Sequence, residues 1–126
     1  KFTEKQKKLY KIALDHINYN SEIIKPGMTF DDFISNAWEL PNAYYDNRYS
    51  CISHGIGMCD EWPFILYPED RKKNGGYGGI FEENMTITLE SYIGAVGDDE
   101  GVKLEQQYLI GENGLILMSH NPLETF

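Results

Sequence analysis

Two runs of alternating side chains near the C-terminal end constrain this chain most. Met85-Thr-Ile-Thr-Leu-Glu-Ser-Tyr-Ile93 and Val102-Lys-Leu-Glu-Gln-Gln-Tyr-Leu-Ile110 are rich in β-branched, aromatic and aliphatic residues and read as strands. Residues 94–101 form an acidic, glycine-bearing connection. Gly111-Glu-Asn-Gly114 is a tight hairpin turn into a third strand, Leu115-Ile-Leu-Met118. Side chains alternate across a strand. Thr86, Thr88, Glu90 and Tyr92 therefore share one face, as do Lys103, Glu105, Gln107 and Leu109. Glu90 and Glu105 lie mid-strand inside a hairpin pair, where like charges repel. A buried carboxylate pair is expensive unless a cation compensates it. Two readings follow from spacing alone: a divalent cation held by both, or two glutamates on a solvent-facing sheet surface.

A second concentration of chemistry lies at Tyr49-Ser-Cys-Ile-Ser-His-Gly-Ile-Gly-Met-Cys-Asp-Glu-Trp-Pro63. Gly55 and Gly57 allow backbone to approach a ligand or a neighbouring strand. His54 fits a satisfied structural histidine, and equally a nitrogen ligand beside Glu90 and Glu105.

The first half of the chain reads as helices. Thr3-Glu-Lys-Gln6 is a capping box, and Leu9, Ile12, Ala13, Ile17, Asn20, Ile23 and Ile24 follow at helical spacing until Lys25-Pro26-Gly27. His16 is expected at the surface of this helix. Thr29-Phe-Asp-Asp32 starts a second helix, with Phe30, Phe33, Ile34, Ala37 and Trp38 as its buried face. Residues 42–48 read as a polar loop, Phe64-Ile-Leu-Tyr67 as a short strand or extended segment, and 68–79 as loop. The glycine cluster Asn74-Gly-Gly-Tyr-Gly-Gly79 lacks the following helix of a phosphate cradle, which leaves a flexible connection. Residues 119–126 form a polar tail. Two helices followed by antiparallel strands make an α+β arrangement in one domain, 1–126.

Composition narrows the partners. The net charge of −9 opposes nucleic acid and anionic membrane surfaces. No apolar run approaches the roughly 18 residues of a membrane span, and no signal-peptide pattern is present. Cys51 and Cys59 are too few for a disulfide framework, and reduced thiols in a cytoplasmic protein are expected. The chain opens on Lys1 directly into a helical pattern, as a piece of something longer would.

His54-Gly-Ile-Gly57, Thr88-Leu-Glu90-Ser and Lys103-Leu-Glu105-Gln resemble the last three metal-ligand blocks of the pita-bread metalloenzymes. Methionine aminopeptidase, aminopeptidase P, prolidase and creatinase belong to that superfamily. Lys25-Pro-Gly-Met-Thr29 resembles a helix end of the same fold, so the resemblance covers nearly the whole chain. It implies that His54, Glu90 and Glu105 are metal ligands and that two divalent ions (iron, manganese, cobalt or zinc) fill a complete site. It also implies two aspartate ligands from strands upstream. This chain would then be the C-terminal half of a pita-bread catalytic domain, partnered by the upstream half, weak in metal binding alone and active as a homodimer.

Two departures bear on activity. Glu61 stands where peptidases of the superfamily carry a second, substrate-contacting histidine, and Ser50 replaces a histidine frequent in proline-specific members. The segment from Tyr49 to Pro63 instead resembles the branch that cleaves dimethylsulfoniopropionate. That resemblance implies Asp60 as the base, its pKa tuned by burial and by the metal, with Tyr49 and Trp62 receiving the sulfonium and Glu61 contacting substrate. Trp62 fits a core position equally well. The alternatives are an Xaa-Pro metallopeptidase acting on a dipeptide, with Glu90 or Glu105 shuttling the proton of a metal-activated water, and a non-catalytic binding domain of the same fold.

Overall fold

The structure, a computed structural model, describes residues 1–76, 78–121 and 123. Helix α1, Glu4–Ile23, starts at Thr3, whose hydroxyl accepts from the Gln6 N–H at 3.1 Å. The Thr3 N–H in turn donates to Gln6 Oε1 at 3.0 Å. This reciprocal cap satisfies two of the helix's orphan donors. Leu9, Ala13 and Ile17 form its buried stripe, continued by Ile24 beyond the last turn. His16 and Asn20 lie on that stripe too, and His16 is buried rather than at the surface. The reason is its place one turn before Asn20 and beside Ile17. Its ring packs 5.6 Å from that of Trp38, and Nε2 lies 3.4 Å from the Tyr67 hydroxyl. Asn20 Oδ1 accepts the Trp38 N–H at 2.9 Å.

Helix α2, Phe30–Asn36, is capped by Thr29, and Phe30 and Phe33 meet Phe81 edge-on. It ends at Asn36, so the last two residues of its expected apolar face, Ala37 and Trp38, lie beyond it. Two further helices occupy segments expected to be loop. Helix α3, Asn42–Tyr45, is a single turn after Pro41. Helix α4, Pro68–Asn74, has proline in its first turn with Glu69 and Asp70, and Arg71, Lys72 and Lys73 in its last. These residues match the helix dipole at both ends. The helix buries no residue and so carries no apolar period by which to find it.

Five strands form one antiparallel sheet: β1 Cys51–Gly55, β2 Phe64–Leu66, β3 Thr86–Gly94, β4 Gly101–Gly111 and β5 Gly114–Leu117, in the order β2-β1-β3-β4-β5. The α+β class holds, with helix α4 set among the strands rather than all helices ahead of them. The described part of the glycine cluster is packed, not a free connection. The Phe30 N–H donates to Gly79 O at 2.9 Å, and a Cβ on Gly79 would come 2.4 Å from the Phe30 ring. Ile87, Leu89 and Ile93 of β3, with Tyr108 and Ile110 of β4, form the core face beneath α1. The expected tail at 119–126 lies partly outside the described residues. No described helix is long and apolar enough to cross a membrane.

Candidate metal centre

The register of the sheet builds the site on the face opposite α1. Glu90 pairs directly with Glu105, Thr88 with both Gln107 and His54, and Tyr92 with Lys103. Paired residues point to the same face of a sheet, so His54, Glu90, Glu105 and Lys103 converge. His54 Nε2 faces Glu90 Oε1 across 3.7 Å and Glu105 Oε1 across 3.9 Å. One ligand atom from each of the three residues lies within 4.8 Å of the others. The solvent-facing reading fails for Glu90, which is 4% exposed, and holds for Glu105, whose side chain is 38% exposed.

Local structure aims each group. His54 Nδ1 lies 2.9 Å from Gly55 O, which fixes Nδ1 as the protonated nitrogen and turns Nε2 toward the carboxylates. Thr88, wholly buried, directs its hydroxyl at Glu105 Oε1 (3.2 Å) and Gln106 O (3.0 Å). Gly55 lets the returning turn close over β1. A Cβ there would meet the Trp62 carbonyl oxygen at 1.8 Å, and the Gly55 N–H donates to Pro63 O at 2.9 Å.

Charge is concentrated at one oxygen. Glu90 Oε1 is 2.7 Å from Lys103 Nζ, whose ammonium is also 3.5 Å from Glu105 Oε2. Burial alone would raise the pKa of Glu90, but His54 and Lys103 outweigh it and hold the carboxyl below its usual value. Burial likewise opposes protonation of His54. The Glu90 carboxylate, the Gly55 carbonyl and the charge of Glu61 reverse the sign, and the pKa is raised.

The donor set fits a divalent cation. Gaps of 3.7 and 3.9 Å are too long for hydrogen bonds, yet a metal bonding imidazole and carboxylate at about 2.1 Å each would close them. Glu90 Oε2 is buried with no hydrogen-bond partner, a spare acceptor beside the cluster. Among the described residues, this is the group of His, Cys, Asp and Glu side chains able to hold a metal.

The other expected site residues lie around this centre. Tyr49 is exposed and stands with its ring centroid 5.0 Å from Lys103 Nζ. Asp60, Glu61 and Trp62 all lie in the turn between β1 and β2 and are exposed. Asp60 has φ of 59° and is not buried, so the burial expected to tune its carboxyl is lacking in this chain. Trp62 is not a core residue. It lines an apolar cleft of about 610 Å³ with Met58, Cys59, Ile80 and Met85. Both cysteines are free; Cys51 is buried, and burial pushes its thiol up to about 12. Lys103 and Thr88 complete the site, and no feature of the sequence assigns them a role beyond their parity with Glu105 and Glu90.

This chain is similar to several known proteins. It is 37% identical over 112 residues to the dimethylsulfoniopropionate lyase DddP of Roseovarius nubinhibens, covering 89% of this chain and 25% of the lyase. It is 34% identical over 116 residues to the Xaa-Pro dipeptidase of Pyrococcus furiosus, covering 88% of this chain and 30% of that enzyme. The solved prolidase from Pyrococcus furiosus superposes with a TM-score of 0.74 at 32% identity, over 93% of this chain and 33% of the prolidase. The chain thus spans about a quarter to a third of these relatives, and its sheet is part of the pita-bread fold. The model of metallopeptidase family M24 matches residues 1–112, and the chain belongs to that family of metal-dependent enzymes.

Proposed function

We propose that this chain supplies His54, Glu90 and Glu105 to the divalent-metal centre of a lyase that cleaves dimethylsulfoniopropionate to dimethyl sulfide and acrylate. The observation that carries the reading is the convergence of His54 Nε2 with both carboxylates on one sheet face, beside an aromatic ring that already holds a cation. The stronger similarity to the lyases than to the dipeptidases supports the branch. Two further aspartate ligands, a second ion and a homodimeric state belong to the same proposal, through the rest of the protein.

A bound divalent ion would hold the substrate carboxylate and stabilise the negative charge that develops beside it. The chain's own residues do the remainder. Asp60 accepts the proton from the carbon next to the carboxylate. The C–H electron pair becomes the new C=C bond, the C–S bond breaks, and dimethyl sulfide leaves with its electron pair. The products are acrylate, dimethyl sulfide and protonated Asp60. Asp60 starts exposed in this chain, so closure by substrate or by the rest of the protein completes its environment. Tyr49 and Trp62 present ring faces to the sulfonium, an attraction of about 1–2 kcal/mol when desolvated. Glu61 lies in the same turn and contacts substrate from that side.

The second reading is an Xaa-Pro metallopeptidase, favoured by the likeness to the prolidase at 32% identity. There Glu90 or Glu105 would take the proton of the attacking water. The test incubates the full-length protein with dimethylsulfoniopropionate and with an Xaa-Pro dipeptide, each with Fe²⁺, Mn²⁺ or Zn²⁺. Headspace dimethyl sulfide without dipeptide cleavage is the expected result. Dipeptide cleavage alone would replace the lyase with the peptidase. Neither product, with metal bound, would leave a non-catalytic domain or a different small substrate.

A further inference from the structure

We propose that Lys103 is a built-in counter-ion of the acid pair, and that a divalent metal enters this centre by displacing its ammonium from Glu90. The inference rests on the reading of His54, Glu90 and Glu105 as metal ligands. Glu90 and Glu105 face each other in register, and Glu90 is buried. Two such carboxylates destabilise a sheet unless a positive charge joins them. Lys103 does so from the adjacent position on the same face, 2.7 Å from Glu90 and 3.5 Å from Glu105.

The contested atom is Glu90 Oε1. It is the oxygen bonded to Lys103 and also the oxygen facing His54 Nε2 at 3.7 Å. A metal bound at that oxygen would put two positive charges around it, and these repel each other. The ammonium has somewhere to go. The Lys103 side chain is 45% exposed, so its ammonium can swing away from Glu90 into solvent. Lysine suits such an exchange, because its compact ammonium rides on a flexible four-carbon stem. An arginine fork would instead grip the carboxylate with two parallel bonds. The centre therefore folds with part of its negative charge already neutralised, and metal uptake is an exchange of cations.

The experiment uses the metal-free full-length protein as wild type, Lys103→Met and Lys103→Arg, with Mn²⁺ alone as the probe. Calorimetric titration should show Lys103→Met binding Mn²⁺ about tenfold more tightly than wild type, because no ammonium has to leave. The metal-free melting temperature of Lys103→Met should fall by several degrees, and Lys103→Arg should hold it. Equal or weaker Mn²⁺ binding by Lys103→Met overturns the proposal. Absence of Mn²⁺ binding by wild type and variant alike overturns the metal-centre reading itself. Should Lys103→Met not fold, the wild type decides through acetylation of Lys103 followed by peptide mass spectrometry. Saturating Mn²⁺ should speed the modification several-fold, and an unchanged or slower rate overturns the exchange.

Discussion

Arg48 and Lys103 each centre a cluster of carboxylates and tyrosine rings built from nearly the same ingredients, and only the Lys103 cluster looks like a site. Arg48 lies over the rings of Tyr45 (4.0 Å) and Tyr67 (4.9 Å), 2.5 Å from Asp70 and 3.8 Å from Glu69. Lys103 lies over Tyr49, with Glu90 and Glu105 as its acids. In the first cluster the buried atom left without a hydrogen-bond partner is a donor, Arg48 Nε, which cannot serve as a metal ligand. Glu69 also accepts the Tyr45 hydroxyl, Arg48 donates to Tyr45 O, and the acids lead helix α4, where its dipole favours them. That cluster fastens α3 to α4. In the second, two carboxylates oppose each other, one oxygen of Glu90 is left over, and an imidazole nitrogen faces them without a hydrogen bond. Unused ligand capacity under like-charge strain is what separates a metal centre from a buckle.

That contrast breaks most sharply with Glu90→Gln. Losing one anionic ligand should weaken metal binding by more than about a hundredfold, whereas Arg48→Met should leave it unchanged; metal titration of both variants decides. Acid should strike the Arg48 side next, because Tyr67 rests on His16. Burial lowers the His16 pKa from 6.5 to about 4. The unfolded chain therefore binds a proton that the folded chain refuses. The stability of neutral His16 is complete above pH 6.5 and is lost as pH falls toward 4, by about 3 kcal/mol. Urea melts across that range measure it, and His16→Leu should flatten the part due to this group. Arg48→Met itself should cost about 2 kcal/mol, less than a fully buried pair because Glu69 and Asp70 keep contact with water. A denaturant midpoint as high as wild type would deny the buckle its role. The smallest effect is expected from Thr88→Val, which removes the hydroxyl aimed at Glu105. Stability should drop by about 1 kcal/mol and metal affinity by about tenfold; if affinity holds, Glu105 does not need this support.

What the residues disclose without the structure follows the same division. Strict alternation gathers Glu105 and Lys103 on one face of their strand once the hairpin is recognised, while the structure's register sets Glu90 directly opposite Glu105. The capping box at Thr3 is equally legible, being local chemistry. Helix α4 is not, since Pro68-Glu-Asp-Arg-Lys-Lys-Asn74 has no apolar stripe and only its end charges mark it. His16 misleads for the opposite reason: residue type outweighs its position on the stripe, although imidazole against Trp38 packs as an aromatic. Asp60 shows a third limit. Its exposure depends on how the turn stands out from β1, which no periodicity within the turn encodes.

The seam at Gly55 gives that turn an independence of its own. Residues 56–62 leave the ligand strand and are sewn back to it by the bond from the Gly55 N–H to Pro63 O, with the Trp62 carbonyl pressed where a side chain would otherwise be. Everything from Gly57 to Trp62 faces outward, while His54 stays anchored in the sheet below. Such a loop can be re-lettered by mutation, exchanging carboxylate for imidazole or aromatic for aliphatic, without disturbing His54 and its place in the sheet. A lineage built this way can try new substrates by editing one short phrase of its sequence, provided that it never fills Gly55.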